Sequence, residues 1–164
     1  MSSSRDKQKS HGPALGGAVC IAHNIRSLHN IGSIMRTADG AGFSKVYCTG
    51  YSGSPDDAKA AKVSLGAEKS VPWEKMKNTA TLIRSLKRQG YFVVALEQDS
   101  RSIPLSKFRP KFPLALIVGN EVRGLSPSLR ELADACIEIP MRGSKESLNV
   151  SVAFGVAAYA ILGA

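Results

Sequence analysis

Along this 164-residue chain, apolar residues gather in short uninterrupted runs, separated by longer stretches in which they recur every three or four positions. The runs cover residues 18–22, 45–49, 91–97, 114–118 and 135–139. Continuous rather than alternating hydrophobicity marks strands buried on both faces, as in parallel sheets. The intervening stretches predict helices over 30–41, 56–65, 78–89, 126–133 and 147–162. The third is the clearest, since Leu82, Ile83 and Leu86 share one face while Arg84, Lys87 and Arg88 lie away from it. Strand and helix alternate throughout, which predicts a single α/β domain: a mostly parallel sheet of five or six strands flanked by helices. Ligands are expected where loops leave the C-terminal ends of the strands.

Composition changes the picture mainly through charge. Twenty-two Lys and Arg residues face 13 Asp and Glu, a net +9. That excess favours a polyanionic partner, nucleic acid or an anionic surface, although it also serves simple solubility. Cys20, Cys48 and Cys136 are odd in number and widely spaced, so they read as reduced core residues without a disulfide framework or a zinc site. The polar, basic residues 1–16 lack a secretory apolar core and are expected to form a mobile arm, leaving 17–164 as the folded domain. The apolar stretch 148–164 contains Asn149 and Ser151 and falls short of the roughly 20 residues a spanning helix needs. It predicts a buried helix, no membrane span and a cytoplasmic protein. Residues 98–113 form the one long irregular stretch. With Arg101, Lys107, Arg109 and Lys111 around Phe108 and Phe112, they are either a solvated connector or an RNA contact.

Three loop segments carry candidate chemistry. In NIRSLHNIGSIMRT (24–37), Asn30 suits a helix N-cap, Gly32 permits close backbone approach, and Arg36 falls near the second helical turn, placed to grip a phosphate or merely to be solvated. In IVGNEVRGLS (117–126), an apolar strand ends at Gly119 and is followed by Glu121 and Gly124, exposing backbone groups that a ligand could use. In IEIPMRGSKESLNVS (137–151), Pro140 and Gly143 break the chain before Ser147 or Asn149 opens the last helix, either as a plain cap or at a polar-ligand site. Small residues Ala153, Gly155, Ala157, Ala158 and Ala160 allow that helix a very close neighbour, from the core or from a second subunit. No P-loop, GxGxxG, HExxH or nucleophile elbow occurs, which removes most support for ATPase, dehydrogenase, metalloenzyme and serine hydrolase readings.

Taken together, N-x-G-x-x-x-R-T at 30–37, G-x-E-x-x-G-L at 119–125 and I-P-M-x-G-x-x-x-S-L-N-V-S at 139–151 resemble the SpoU, or TrmH-like, branch of the SPOUT RNA methyltransferases. The third motif is long and specific, and all three occur in order. The resemblance implies a deep C-terminal trefoil knot, a homodimer, and S-adenosylmethionine bound among the loops after Leu96, after Val118 and across 139–148. Leu96, Gly119, Ile139, Met141 and Leu148 are the expected cofactor contacts. The family's functional positions fall on Asn30, Arg36, Glu121, Ser147 and Asn149. The implied reaction is methylation of a ribose 2′-hydroxyl in tRNA or rRNA, with no metal, because the methyl donor is already activated.

A guanidinium is effectively never deprotonated in proteins. Arg36 is therefore expected to hold an RNA phosphate and stabilise the developing alkoxide rather than to act as a base. Asn30 would orient Arg36 or the ribose, while Glu121, Ser147 and Asn149 fix the pocket. Two alternatives stay open: a SPOUT enzyme methylating an RNA base, and a catalytically silent RNA-binding module.

Overall fold

The computed structural model describes residues 17–163; the expected arm, 1–16, lies outside them. In chain order the elements are β1 (Ala18–His23), α1 (Leu28–Ala41), β2 (Lys45–Thr49), α2 (Ala58–Ser64), α3 (Ala67–Ser70), β3 (Trp73–Met76) and α4 (Thr79–Arg88). They continue with β4 (Phe92–Leu96), β5 (Ile103–Pro104), a 3-10 turn (Leu105–Lys107), β6 (Leu114–Val118), α5 (Pro127–Leu132), β7 (Ala135–Glu138) and α6 (Val150–Leu162). The seven strands form one sheet in the order β3-β2-β1-β6-β4-β7-β5, and every pairing is parallel.

The continuous apolar runs have a direct cause. Successive strand side chains point to opposite faces, and each face of this sheet carries its own core. In β6, Leu114, Leu116 and Val118 enter the core built with Ile31, Ile34 and Met35 of α1 and Phe154 and Ala157 of α6. Ala115 and Ile117 enter the other, with Leu82, Ile83 and Leu86 of α4 and Leu129 of α5. Burying a side chain such as Phe154, fully enclosed here, contributes roughly 1.5–3 kcal/mol.

Several expectations need correction. The sheet has seven strands rather than five or six, because β3 and β5 are edge strands. β3 exposes Glu74 and Lys75, the polar pattern by which edges discourage further pairing, and β5 is only two residues long. Helix α1 starts earlier than Asn30: its cap is Ser27, whose side chain accepts the Asn30 N–H at 3.1 Å. Asn30 is thus inside the helix and buried, and Arg36 falls in the third turn. Residues 98–113 are not irregular throughout, and their aromatics are not offered to solvent. Phe108 is buried and Phe112 packs beside it in the α1/α6 core, leaving Arg101, Lys107, Arg109 and Lys111 outside.

All three cysteines are free and buried, and burial pushes the Cys48 thiol up to about 12. Among the described residues no helix is long and apolar enough to cross a membrane.

Candidate functional site

Strands β6, β4 and β7 are adjacent and parallel, so the loops that follow them emerge side by side at one edge of the sheet. Those loops and the start of α6 enclose a cleft of about 190 Å³. Leu96 closes it from β4, Gly119 from just past β6, and Ile139, Met141, Ser147 and Leu148 from the segment after β7. All five residues expected to contact a cofactor line this one cleft. Apolar side chains share the wall with the polar ones of Glu97, Gln98, Asn120, Glu121, Glu138 and Ser147.

The turn after β6 is tightly braced. Gly119 permits the fold-back, since a Cβ there would lie 2.6 Å from the Gly124 carbonyl carbon and 2.8 Å from the Leu125 nitrogen. Asn120 Oδ1 accepts from the amides of Val122 and Arg123, each at 2.9 Å. The Glu97 carboxylate accepts from Leu125 N–H at 2.8 Å.

Above the cleft, three motif residues meet. Asn149, not Ser147, caps α6: its Oδ1 accepts from Ser151 N–H at 2.9 Å and Val152 N–H at 3.3 Å. Its side-chain amide donates to Asn30 Oδ1 at 3.2 Å, and the Asn30 amide donates in turn to Glu121 Oε1 at 3.3 Å. Glu121 also accepts from the amides of Ser27 at 3.1 Å and Arg26 at 3.4 Å. Partial burial pushes the Glu121 carboxyl up, but these hydrogen bonds outweigh it and hold the group below its ordinary value. Glu121 is therefore ionised at neutral pH, an acceptor that orients Asn30 and the first turn of α1.

Ser147 lies in the cleft wall without joining this chain of hydrogen bonds. Arg36 stands apart from both. It is exposed on α1, and its side chain makes no hydrogen bond or ion pair among the described residues. One turn further along α1, a Cβ on Gly40 would lie 2.8 Å from the Tyr159 hydroxyl of α6. Gly155 faces Thr37 closely enough that an added Cβ would meet Thr37 Cγ2 at 3.5 Å. Gly155 thus serves the packing of α6 on α1, Ala157 and Ala158 are buried in the core, Ala153 lines the cleft and Ala160 is exposed.

Sequence reasoning missed Glu97 and Asn120. Asn120 sits inside the second motif, where a side-chain amide after Gly119 signals a capped turn; Glu97 follows an apolar strand without a pattern to single it out.

The SpoU rRNA Methylase family profile matches residues 17–159. The chain belongs to this family. A tRNA (guanosine(18)-2'-O)-methyltransferase from Aquifex aeolicus is 35% identical over 142 residues, covering 86% of this chain and 66% of that protein. An AdoMet-bound rRNA methyltransferase from Sinorhizobium meliloti superposes with a TM-score of 0.84 at 29% identity, covering 91% of this chain and 57% of that one. A structure described as giving insights into the 2-OH methylation of C/U34 on tRNA has a TM-score of 0.76 at 26% identity, covering 88% of this chain and 93% of that one. The chain therefore spans 66% of the first relative and 57% of the second. The SpoU cleft is formed by residues inside the matched region, and among the described residues no group of ligands suited to a metal ion occurs.

Proposed function

We propose that the protein transfers a methyl group from S-adenosylmethionine to a ribose 2′-hydroxyl of RNA. The observation that carries this reading is the convergence of three family motifs on one cleft edge. Loops after β4, β6 and β7 line the cleft, and Asn30, Glu121 and Asn149 are hydrogen-bonded beside it. Apolar side chains of Leu96, Ile139, Met141 and Leu148 beside the polar ones of Glu97, Asn120 and Glu121 fit a nucleoside bearing an amino-acid tail. S-adenosylmethionine supplies a methyl group already activated on a sulfonium.

The chain's own residues then have to position the hydroxyl and manage charge. Asn30, held at both ends, offers a fixed polar edge to the ribose. Arg36 grips the RNA phosphate and stabilises the alkoxide as the proton leaves to that phosphate or to water. Because Arg36 is exposed and does not line the cleft of its own chain, we propose that it serves the site of a second copy. Val152, Val156 and Tyr159 of α6 are exposed at 51%, 43% and 42%, an apolar row beside Arg36's helix that suits a homodimer interface. We further propose that residues 139–149 thread the 97–113 connection to form the family's trefoil knot, since β7 lies inside β5 while α6 returns to α1. A cytoplasmic setting suits the reduced thiols. Transfer RNA is the preferred substrate, supported by the 2-OH methylation structure, 93% of which this chain covers; ribosomal RNA is second.

The test is transfer of labelled methyl to total RNA from cells lacking this protein, followed by mapping. Nuclease-resistant 2′-O-methyl dinucleotides are expected. Label on a base, or none at all, overturns the reading.

A further inference from the structure

The site rim carries an aromatic side chain that the chemistry above does not use. Tyr51, just past β2, is 53% exposed, yet it is held at both ends. Its amide donates to Asn24 Oδ1 at 3.1 Å, and its hydroxyl accepts from Asn120 Nδ2 at 3.2 Å. The same Asn120 nitrogen donates to the Asn24 carbonyl at 2.8 Å, so Asn120 ties β1, Tyr51 and the turn after β6 into one unit. Asn24 takes a left-handed backbone with φ of 54° and Gly50 one of 63°, and a Cβ on Gly50 would collide with the Asn24 side chain. The Arg26 guanidinium sits over the ring, 5.1 Å from its centroid, and the Arg26 amide donates to Glu121. Val122, at the tip of the turn that Asn120 caps, is 92% exposed on the cleft mouth.

A large ring pinned in solvent with a cation on it gains little from folding, but it is pre-organised for a flat, electron-rich ligand attached to an anion. We propose that Tyr51 is a stacking shelf for an unpaired nucleobase of the RNA substrate, with Arg26 holding the neighbouring phosphate. Base–aromatic stacking tolerates any base, and unpaired bases are what proteins stack in RNA. The shelf touches Asn120 and, through Arg26, Glu121, so a base placed there presents its strand to the cleft. The proposal rests on the RNA-methylating reading above.

Two readouts separate the two. The first is binding of short single-stranded RNAs carrying 2-aminopurine, whose fluorescence is quenched on stacking and which needs no methyl transfer. The second is the KM for total RNA in the methylation assay. Tyr51→Ala is expected to abolish the quenching and raise KM roughly 5- to 150-fold, the range for losing one base–aromatic stack. Cofactor affinity and thermal midpoint stay unchanged, and Tyr51→Trp restores both RNA readouts. Wild-type protein that fails to quench, or Tyr51→Ala that quenches and methylates like wild type, overturns the shelf. So does a Tyr51→Ala chain that changes oligomeric state, which would make the ring an interface residue. Quenching lost in Tyr51→Ala without methyl transfer by wild type keeps the shelf and overturns the enzymatic reading.

Discussion

Asn30 and Arg36 stand on one helix in opposite surroundings. Asn30 is 5% exposed and hydrogen-bonded to Glu121 on one side and Asn149 on the other. Arg36 is exposed, its side chain makes no hydrogen bond or ion pair among the described residues, and it lies outside the cleft. A buried amide with good partners stabilises its own fold; a free guanidinium contributes almost nothing to it and remains available to an external anion. The contrast teaches where folding ends and chemistry begins. One chain completes the cleft and its polar frame, while the cation proposed for catalysis is presented outward.

The sharpest way to break this contrast is Arg36→Ala. Losing a group that stabilises developing negative charge costs about 100- to 1000-fold in turnover, whereas an exposed substitution stays within about 0.5 kcal/mol of wild-type stability. Turnover on RNA, cofactor calorimetry and thermal melting measured on one preparation check it; undiminished turnover removes Arg36 from the mechanism. Mixing Arg36→Ala chains with Asn149→Ala chains sharpens the point. If Arg36 serves a second copy's site, mixed dimers contain one intact site, and activity returns above that of either variant alone.

Next in size is the frame of the cleft. Gly119→Val drives a side chain into the Gly124–Leu125 backbone, where even a Cβ meets atoms at 2.6 and 2.8 Å. The turn has to open, and S-adenosylmethionine affinity by calorimetry is expected to fall at least about tenfold, since a 1.4 kcal/mol penalty already does so. Binding as tight as wild type would remove this turn from the cofactor site.

How much of this was legible beforehand follows from the kind of signal involved. β1, β2, β4, β6 and β7 were readable because burial on both faces writes an unbroken apolar run, as in Leu114–Val118 with its two cores. β3 and β5 were not, because edge strands such as Trp73–Met76 expose polar residues and carry no such run. The cap of α1 was misread because Asn30 and Ser27 are both good capping types. Which one caps depends on a tertiary contact, Asn30 to Glu121, that no local pattern contains. Residues 98–113 looked solvated for a similar reason: the burial of Phe108 is decided by distant α1 and α6. The cleft-lining residues were legible through family motifs, whereas Glu97 acts through a single contact to Leu125 and leaves no spacing to detect.

Asn30→Leu probes the other half of the comparison. It removes the hydrogen bonds to Glu121 and from Asn149, both on exposed residues that water can reach, so the cost is that of lost hydrogen bonds, about 0.5–1.5 kcal/mol each. Thermal or denaturant unfolding should register a loss of that size. A variant as stable as wild type would mean water replaces the amide at no cost, and the inner face of α1 would then be no more constrained than the outer.

The smallest effect is the most specific. Glu121 is held below its ordinary value by hydrogen bonds that outweigh its burial. A carboxylate depressed in the folded state stabilises the protein above its unfolded value, about 4.3, and that contribution is lost as pH falls through the lower folded value. Glu121→Gln keeps the shape but removes the charge and sets an amide nitrogen against the Ser27 and Arg26 N–H groups. Its melting temperature should therefore sit below wild type by a constant margin from neutral pH to about 5, and the margin should close as the pH drops further into the acid range. A margin that persists unchanged into strong acid would assign the loss to packing. The ionised frame that distinguishes Asn30's side of the helix from Arg36's would then have to be abandoned.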